Sequence, residues 1–234
     1  MQPLDVRTVS LAMDLAQRTT KRLDETGASV VVIGRAGQDL GRYGVAWSHM
    51  AFAYREAAGE PWRVAHKLNH CGTATAAVYR QGLGDFFADR MFRYESAFVV
   101  LSADAQAKLL PVLRDNSSLS RWHTEAYSMV AYPWSSRYQQ SNQWVLETLA
   151  GAMEPAVTTR QQAQAWLQMR GYVPATLHLG AFERLGARIS SANIAFDDHP
   201  DALRYAGRIE TVTVDSAFSW LPRSGLGSTP IWVR

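Results

Sequence analysis

In the segment Trp47-Ser48-His49-Met50-Ala51-Phe52-Ala53-Tyr54 the residue types alternate, so a strand here puts His49, Ala51 and Ala53 on one face and Ser48, Met50, Phe52 and Tyr54 on the other. A histidine among small neighbours leaves room for a substrate, and imidazole is the side chain that most readily takes and returns a proton near neutral pH. The same pattern equally suits a packed histidine with one satisfied hydrogen bond. His70-Cys71-Gly72 brings a thiol beside an imidazole, but adjacent residues of an extended segment point to opposite faces, so His70 is poorly placed to activate Cys71. Asp197-Asp198-His199 has donors of the type that bind metals. It also reads as a capping turn, with Pro200 near the first turn of a helix over residues 201–205. No metal and no cofactor is expected.

These residues need a scaffold, and the hydrophobic pattern supplies its outline. Val9, Ala12, Met13, Ala16, Thr20 and Leu23 recur at helical spacing before Gly27, which marks an amphipathic helix in need of a sheet to cover. Residues 28–33, 45–54 and 62–68 have strand composition and are expected to pair as a meander. Residues 73–88 read as a helix weakened at Gly82 and Gly84, and residues 92–101 as a strand. Ser102 caps a short helix that runs to Leu110 and stops before Pro111. A polar loop is expected at residues 115–120 and a turn at 132–136. Residues 141–153 then carry Val145, Leu149, Ala152 and Met153 on one helical face. Thr158 and Gln161 form a capping box for a helix that ends at Gly171, and residues 172–179 are extended. Residues 181–221 have helical character broken at 197–200. The mixed order predicts an α+β fold, with one domain over residues 1–221 and a Gly/Ser/Pro-rich surface tail over 222–234.

Composition narrows the classes of function. With 47% apolar and 19% charged residues in 234, the chain can bury a sizeable core and lacks the charge excess of a disordered protein. Its 24 basic and 21 acidic residues are spread along the chain, without the basic stripe of a nucleic-acid binder. The lone Cys71 excludes an intrachain disulfide and a paired-thiolate zinc site. No apolar run approaches the roughly 20 residues that span a bilayer, and the opening Met1-Gln2-Pro3-Leu4-Asp5 is not an apolar leader.

Ser48-His49-Met50-Ala51-Phe52, preceded by Arg35 and followed by Arg63-Val64-Ala65-His66, resembles the strand pair of circularly permuted papain-like hydrolases of the NlpC class. The resemblance implies a small antiparallel sheet packed by helices, with His49 as general base, His66 as the residue that orients it, and a later helix that starts at the nucleophile. Tyr138-Gln139-Gln140-Ser141-Asn142-Gln143-Trp144-Val145 matches that helix start, with Ser141 where the family has cysteine. A helix N-terminus brings a thiol into the ionisable range but leaves a serine hydroxyl dependent on a true base. Ser141 alternatively serves as an N-cap. Over nearly its full length the chain resembles the 2145 family of domains of unknown function. Its marks are Gly37-Gln38-Asp39-Leu40, Ser48 to Phe52, Leu68-Asn69-His70-Cys71-Gly72, Tyr132-Pro133-Trp134-Ser135, Ser141-Asn142-Gln143-Trp144-Val145 and Ala195-Phe196-Asp197-Asp198-His199-Pro200. That resemblance implies export to the periplasm or cell envelope, with the leader absent from this chain; a cytoplasmic location is the other option.

Two functions follow from these resemblances. One is an amide or ester hydrolase or acyltransferase acting on an envelope peptide or lipid, with His49, His66 and Ser141 as the catalytic set and Trp134, Trp144 and Asn142 lining the substrate groove. The other is a binding module that keeps the fold and the cleft, has lost catalysis, and recognises an envelope ligand or a protein partner.

Overall fold

The amphipathic helix and the β-branched runs of the first hundred residues assemble as a sheet covered on both faces. The structure, a computed structural model, describes residues 4–234, without the side chains of residues 182 and 188–190. Helix α1 (Val6–Asp24) is capped by Asp5, whose carboxylate accepts from Thr8 N–H at 2.8 Å, and the turn after it closes at Gly27, where φ of +68° favours glycine. Then come β1 (Val30–Ala36), β2 (His49–Tyr54), β3 (Arg63–Asn69) and β4 (Ala76–Gly82), the short α2 (Leu83–Phe87) and β5 (Arg93–Val100). The first three strands form the expected antiparallel meander. With β8 (Ile231–Val233) they make a six-stranded sheet in the order β4-β3-β2-β1-β5-β8.

Alternation decides which helices lie on which face. Val31, Ile33, Ala51, Ala53 and Val64 pack under α1 and α2. Val30, Val32, Met50, Phe52 and Ala65 face the other way, toward α3 (Ala103–Arg114), α5 (Ser141–Met153), α6 (Arg160–Met169) and α9 (Val214–Arg223). A small ribbon of β6 (Ala175–His178) and β7 (Arg208–Thr211) stands apart from the main sheet, flanked by α7 (Ala181–Ser190) and α8 (Asp201–Tyr205). The fold is α+β with a small antiparallel sheet packed by helices. Among the described residues no helix is long and apolar enough to cross a membrane.

Several local expectations are corrected by tertiary contacts. Residues 76–82 are a strand because β3 offers them a full-length edge, from Arg63 opposite Gly82 to Asn69 opposite Ala76. Helix α3 runs through Pro111 to Arg114, since Ala105, Leu109 and Leu113 bury one continuous face across the proline. Residues 116–120 form a further short helix, α4 (Asn116–Ser120), which Asp115 caps. The capping box of α6 is Thr159 with Gln162, one residue later than expected. Residues 222–234 are not a tail: Pro222 and Arg223 belong to α9, and β8 pairs with β5 through Ser96 opposite Val233. Gly227 permits this return, because a Cβ there would lie 2.5 Å from Val99.

Helix α5 is buried on all sides from Ser141 to Ala150, not on one stripe. Its Glu147 has no exposed surface. The carboxylate accepts from Arg160 Nε at 2.7 Å, from Gln164 Nε2 at 2.7 Å and from Gln139 Nε2. Arg160 also donates to the carbonyls of Ser136 at 2.8 Å and Tyr138 at 3.0 Å. The pair thus ties α5 and α6 to the irregular segment that delivers the chain to Ser141. Glu147→Ala leaves the Arg160 cation buried without its partner, and a loss of about 3–5 kcal/mol is expected. Urea denaturation measures it; a loss under about 1 kcal/mol would show that the pair does not hold the core.

Candidate functional site

His49 and His66 sit on neighbouring strands of the α1/α2 face. Below Phe52 the β2–β3 pairing opens, since the two strands pair from Phe52 opposite Ala65 to Tyr54 opposite Arg63. In this splayed end His49 Nε2 and His66 Nδ1 are 3.0 Å apart, and His66 Nε2 lies 2.7 Å from Gln81 Oε1 on β4. Gln81 Oε1 is an acceptor, so His66 carries its proton on Nε2 and accepts at Nδ1. His49 then donates from Nε2 and keeps its lone pair on Nδ1. Phe86 of α2 closes the pair from below, its ring centroid 5.9 Å from that of His49 and 5.4 Å from that of His66. Arg35, directly across from His49 on β1, lies over the Phe86 ring, 5.1 Å from its centroid.

This surrounding opposes positive charge on either imidazole. Burial, then the Arg35 cation and His66, hold His49 well below the usual histidine range. Burial brings His66 down to about 4, although its bond to Gln81 works the other way. Both rings are therefore neutral at pH 7, the form in which His49 Nδ1 can accept a proton.

Ser141 comes to the site from the opposite face of the sheet, at the first turn of α5. Asn142 fixes that turn: its Oδ1 accepts from Met50 N–H at 2.9 Å, replacing a missing β3 partner, and its Nδ2 donates to Val212 O at 3.3 Å. Gln140 precedes the helix without capping it, because its amide donates to Thr211 Oγ1. The helix N-terminus thus keeps backbone N–H groups without a side-chain cap. The Ser141 hydroxyl neighbours the Tyr127 phenol, whose pKa is raised by burial and partly lowered by this neighbour. Ser141, Tyr127 and His49 all line one cavity of about 720 Å³. Ser141 is not hydrogen-bonded to His49 among the described residues.

Other sequence candidates lie elsewhere. Trp144 is wholly buried against Phe52, with ring centroids 5.9 Å apart, and Trp134 packs on Tyr172 at 6.1 Å. Neither lines the cavity, so the expected aromatic groove is corrected to a core contact and a cover of the core. Trp47, from the strand segment itself, does line it. Asn142 reaches the cavity, but both ends of its amide are engaged by backbone. Cys71 is exposed in a turn. His199 binds Asp198 Oδ1 at 3.0 Å and Glu210 O at 2.9 Å, and Asp198 Oδ2 accepts from Tyr132 N–H. That cluster clasps the 128–132 segment to β7, and among the described residues no group of three or more His, Cys, Asp or Glu could hold a metal ion.

Gln81, Tyr127 and Arg35 escaped sequence reasoning as site residues. Gln81 lay in a segment with helical signals, and Tyr127 in a stretch without periodicity. Arg35 alone had a signal, its position in the strand before the His49 strand.

The depressed imidazoles set an acid limit on stability. In the unfolded chain histidine titrates near 6.5, whereas folded His66 titrates at about 4. Between those values the unfolded state binds more protons, so stability falls as pH falls, by roughly 3 kcal/mol for His66 alone. Urea midpoints measured from pH 7 to pH 4 are expected to fall less steeply in His66→Gln than in the wild type. Parallel profiles would show that His66 is not held neutral.

No curated protein and no solved structure matches the chain. A family model described as "Uncharacterized protein conserved in bacteria (DUF2145)" matches residues 22–221. The chain, with its imidazole pair and its buried α5, belongs to that family.

Proposed function

We propose that this protein is an amide or ester hydrolase or acyltransferase of the bacterial cell envelope, with the permuted papain-like arrangement of a base strand, an orienting strand and a nucleophile helix. The observation that carries this is the chain Gln81···His66···His49, which leaves His49 Nδ1 without a partner among the described residues, beside a cavity that both His49 and Ser141 line. In the proposed reaction the Ser141 hydroxyl attacks the acyl carbonyl carbon, and its proton passes to His49 Nδ1. The tetrahedral oxyanion is held by backbone N–H groups of the first turn of α5 and by the Tyr127 hydroxyl. Its collapse breaks the bond to the leaving alcohol or amine, which takes the proton from His49. Water in hydrolysis, or an acceptor alcohol or amine in transfer, then attacks the Ser141 ester by the same steps in reverse. His66 is a positioning residue: it fixes the tautomer of His49.

One observation favours the second function. Ser141 stands where the resembled hydrolases have cysteine. A hydroxyl in place of the thiol suits a cleft kept for binding alone.

A fluorophosphonate probe separates the two. Labelling is expected on Ser141, absent in Ser141→Ala and at least about 100-fold slower in His49→Ala. Because His49 is held neutral to unusually low pH, the acid limb of the labelling rate is expected below pH 6.5, where an ordinary histidine would already be half protonated. Absence of labelling in the folded wild type, or equal labelling of His49→Ala, would remove the catalytic function and leave the binding module.

A further inference from the structure

The cavity walls are more informative than its polar end. Tyr43, Val130, Leu177, Leu179, Ile194 and Phe196 form one side and belong to a small hydrophobic cluster separate from the two main cores. Of these, Leu179 and Phe196 are buried and the others remain partly open. The charged residues that line the space, Asp39, Arg42 and Glu183, are all exposed, so charge is confined to the rim.

Several of the polar side chains that line the cavity are already engaged within the protein. Asn142 holds Met50 N–H and Val212 O, and Gln140 donates to Thr211, whose hydroxyl donates to Ala131 O at 3.3 Å. Thr213 Oγ1 accepts from Ser216 N–H at 3.1 Å, and Ser48 Oγ from Gly37 N–H at 2.8 Å. A glycan or a peptide backbone lying along the apolar wall would leave its donors and acceptors there without partners, each costing on the order of 1–3 kcal/mol. An alkyl chain makes no such demand and gains from removal from water.

We infer that the cavity binds the alkyl chain of a fatty-acyl group, with its carbonyl end toward His49 and Ser141. A volume of about 720 Å³ lies within the range of small-molecule sites, which are mostly apolar with a few placed polar groups. The position of the carbonyl rests on the proposed acyl chemistry; the binding of the chain does not. Among the envelope substrates open to that chemistry, the inference selects lipids over peptidoglycan peptides.

The test uses the full chain, wild type and Ser141→Ala, titrated calorimetrically with octanoate, decanoate, dodecanoate and myristate below their micellar concentrations, and with a disaccharide peptide of peptidoglycan. Affinity is expected to rise about fourfold for each added methylene until the cavity is filled. The rise per methylene should be the same in both proteins whatever their absolute affinities, and the disaccharide peptide should not bind. Ile194→Asp places a charge in the wall near its open side and is expected to weaken dodecanoate at least tenfold; circular dichroism identifies a folded variant, and Leu177→Asp serves if Ile194→Asp does not fold. Affinity independent of chain length, unchanged binding by the folded wall variant, or tighter binding of the disaccharide peptide would overturn the inference. Chain-length-dependent binding without fluorophosphonate labelling would keep the lipid site and remove the catalysis. Labelling of Ser141 without chain-length dependence would do the opposite.

Discussion

The rest of the structure depends on the buried ion pair between Glu147 and Arg160. Each charge costs several kcal/mol to remove from water, and such a pair is tolerable only where the remaining lone pairs and protons are also used. Here they are: the carboxylate takes donors from Arg160, Gln164 and Gln139, while the guanidinium reaches carbonyls at Ser136 and Tyr138. The segment between Trp122 and Gln140 has little regular structure of its own, and its carbonyls have to be satisfied from outside. Lys67 adds a second hook from β3, donating to Thr124 O and to Gln139 Oε1 at 2.8 Å. Burial, with Arg160 nearby, brings its ammonium down to about 7 despite the opposing charge of Glu147.

This polar centre explains why Ser141 can begin a helix that is buried on every side. An all-round buried helix has no solvent face to fix its rotation, so specific polar contacts must do so. Glu147 sets the middle of α5, and Asn142 sets its start through Met50 N–H and Val212 O. The sheet participates by failing to pair: where β2 and β3 part, a backbone N–H becomes available to Asn142, and an imidazole pair finds room on the other face. The opening in the sheet thus links α5 to His49.

The two faces of the sheet impose opposite conditions on the site. On the α2 side Phe86 and Arg35 keep His49 and His66 dry and neutral, with Gln81 defining which nitrogens carry protons. On the cavity side several polar residues are engaged in internal hydrogen bonds, and the larger part of the lining is apolar. What the cavity offers a ligand is a small polar end and a long apolar wall.

The sequence by itself determined the parts governed by local periodicity. The first helix, the meander of three strands, the face shared by His49 with Ala51 and Ala53, and the extent of the helix from Ser141 to Met153 all follow from side-chain spacing, because periods of 3.6 and 2 are imposed by the backbone. The pairing of His49 with His66 was available only through resemblance, since spacing along the chain does not report distance across strands. Tertiary structure decided the rest. It made residues 76–82 a strand because β3 had an open edge, carried α3 through Pro111 because a buried face continued beyond it, and drew the last residues into the sheet because β5 lacked a neighbour. It also withdrew Trp144 into the core and brought Gln81 and Tyr127 to the site. Hydrogen bonds between residues distant in sequence leave no periodic trace, and for that reason His49 could be singled out in the chain, while the groups around its ring and the walls of the cavity beside it emerged only in three dimensions.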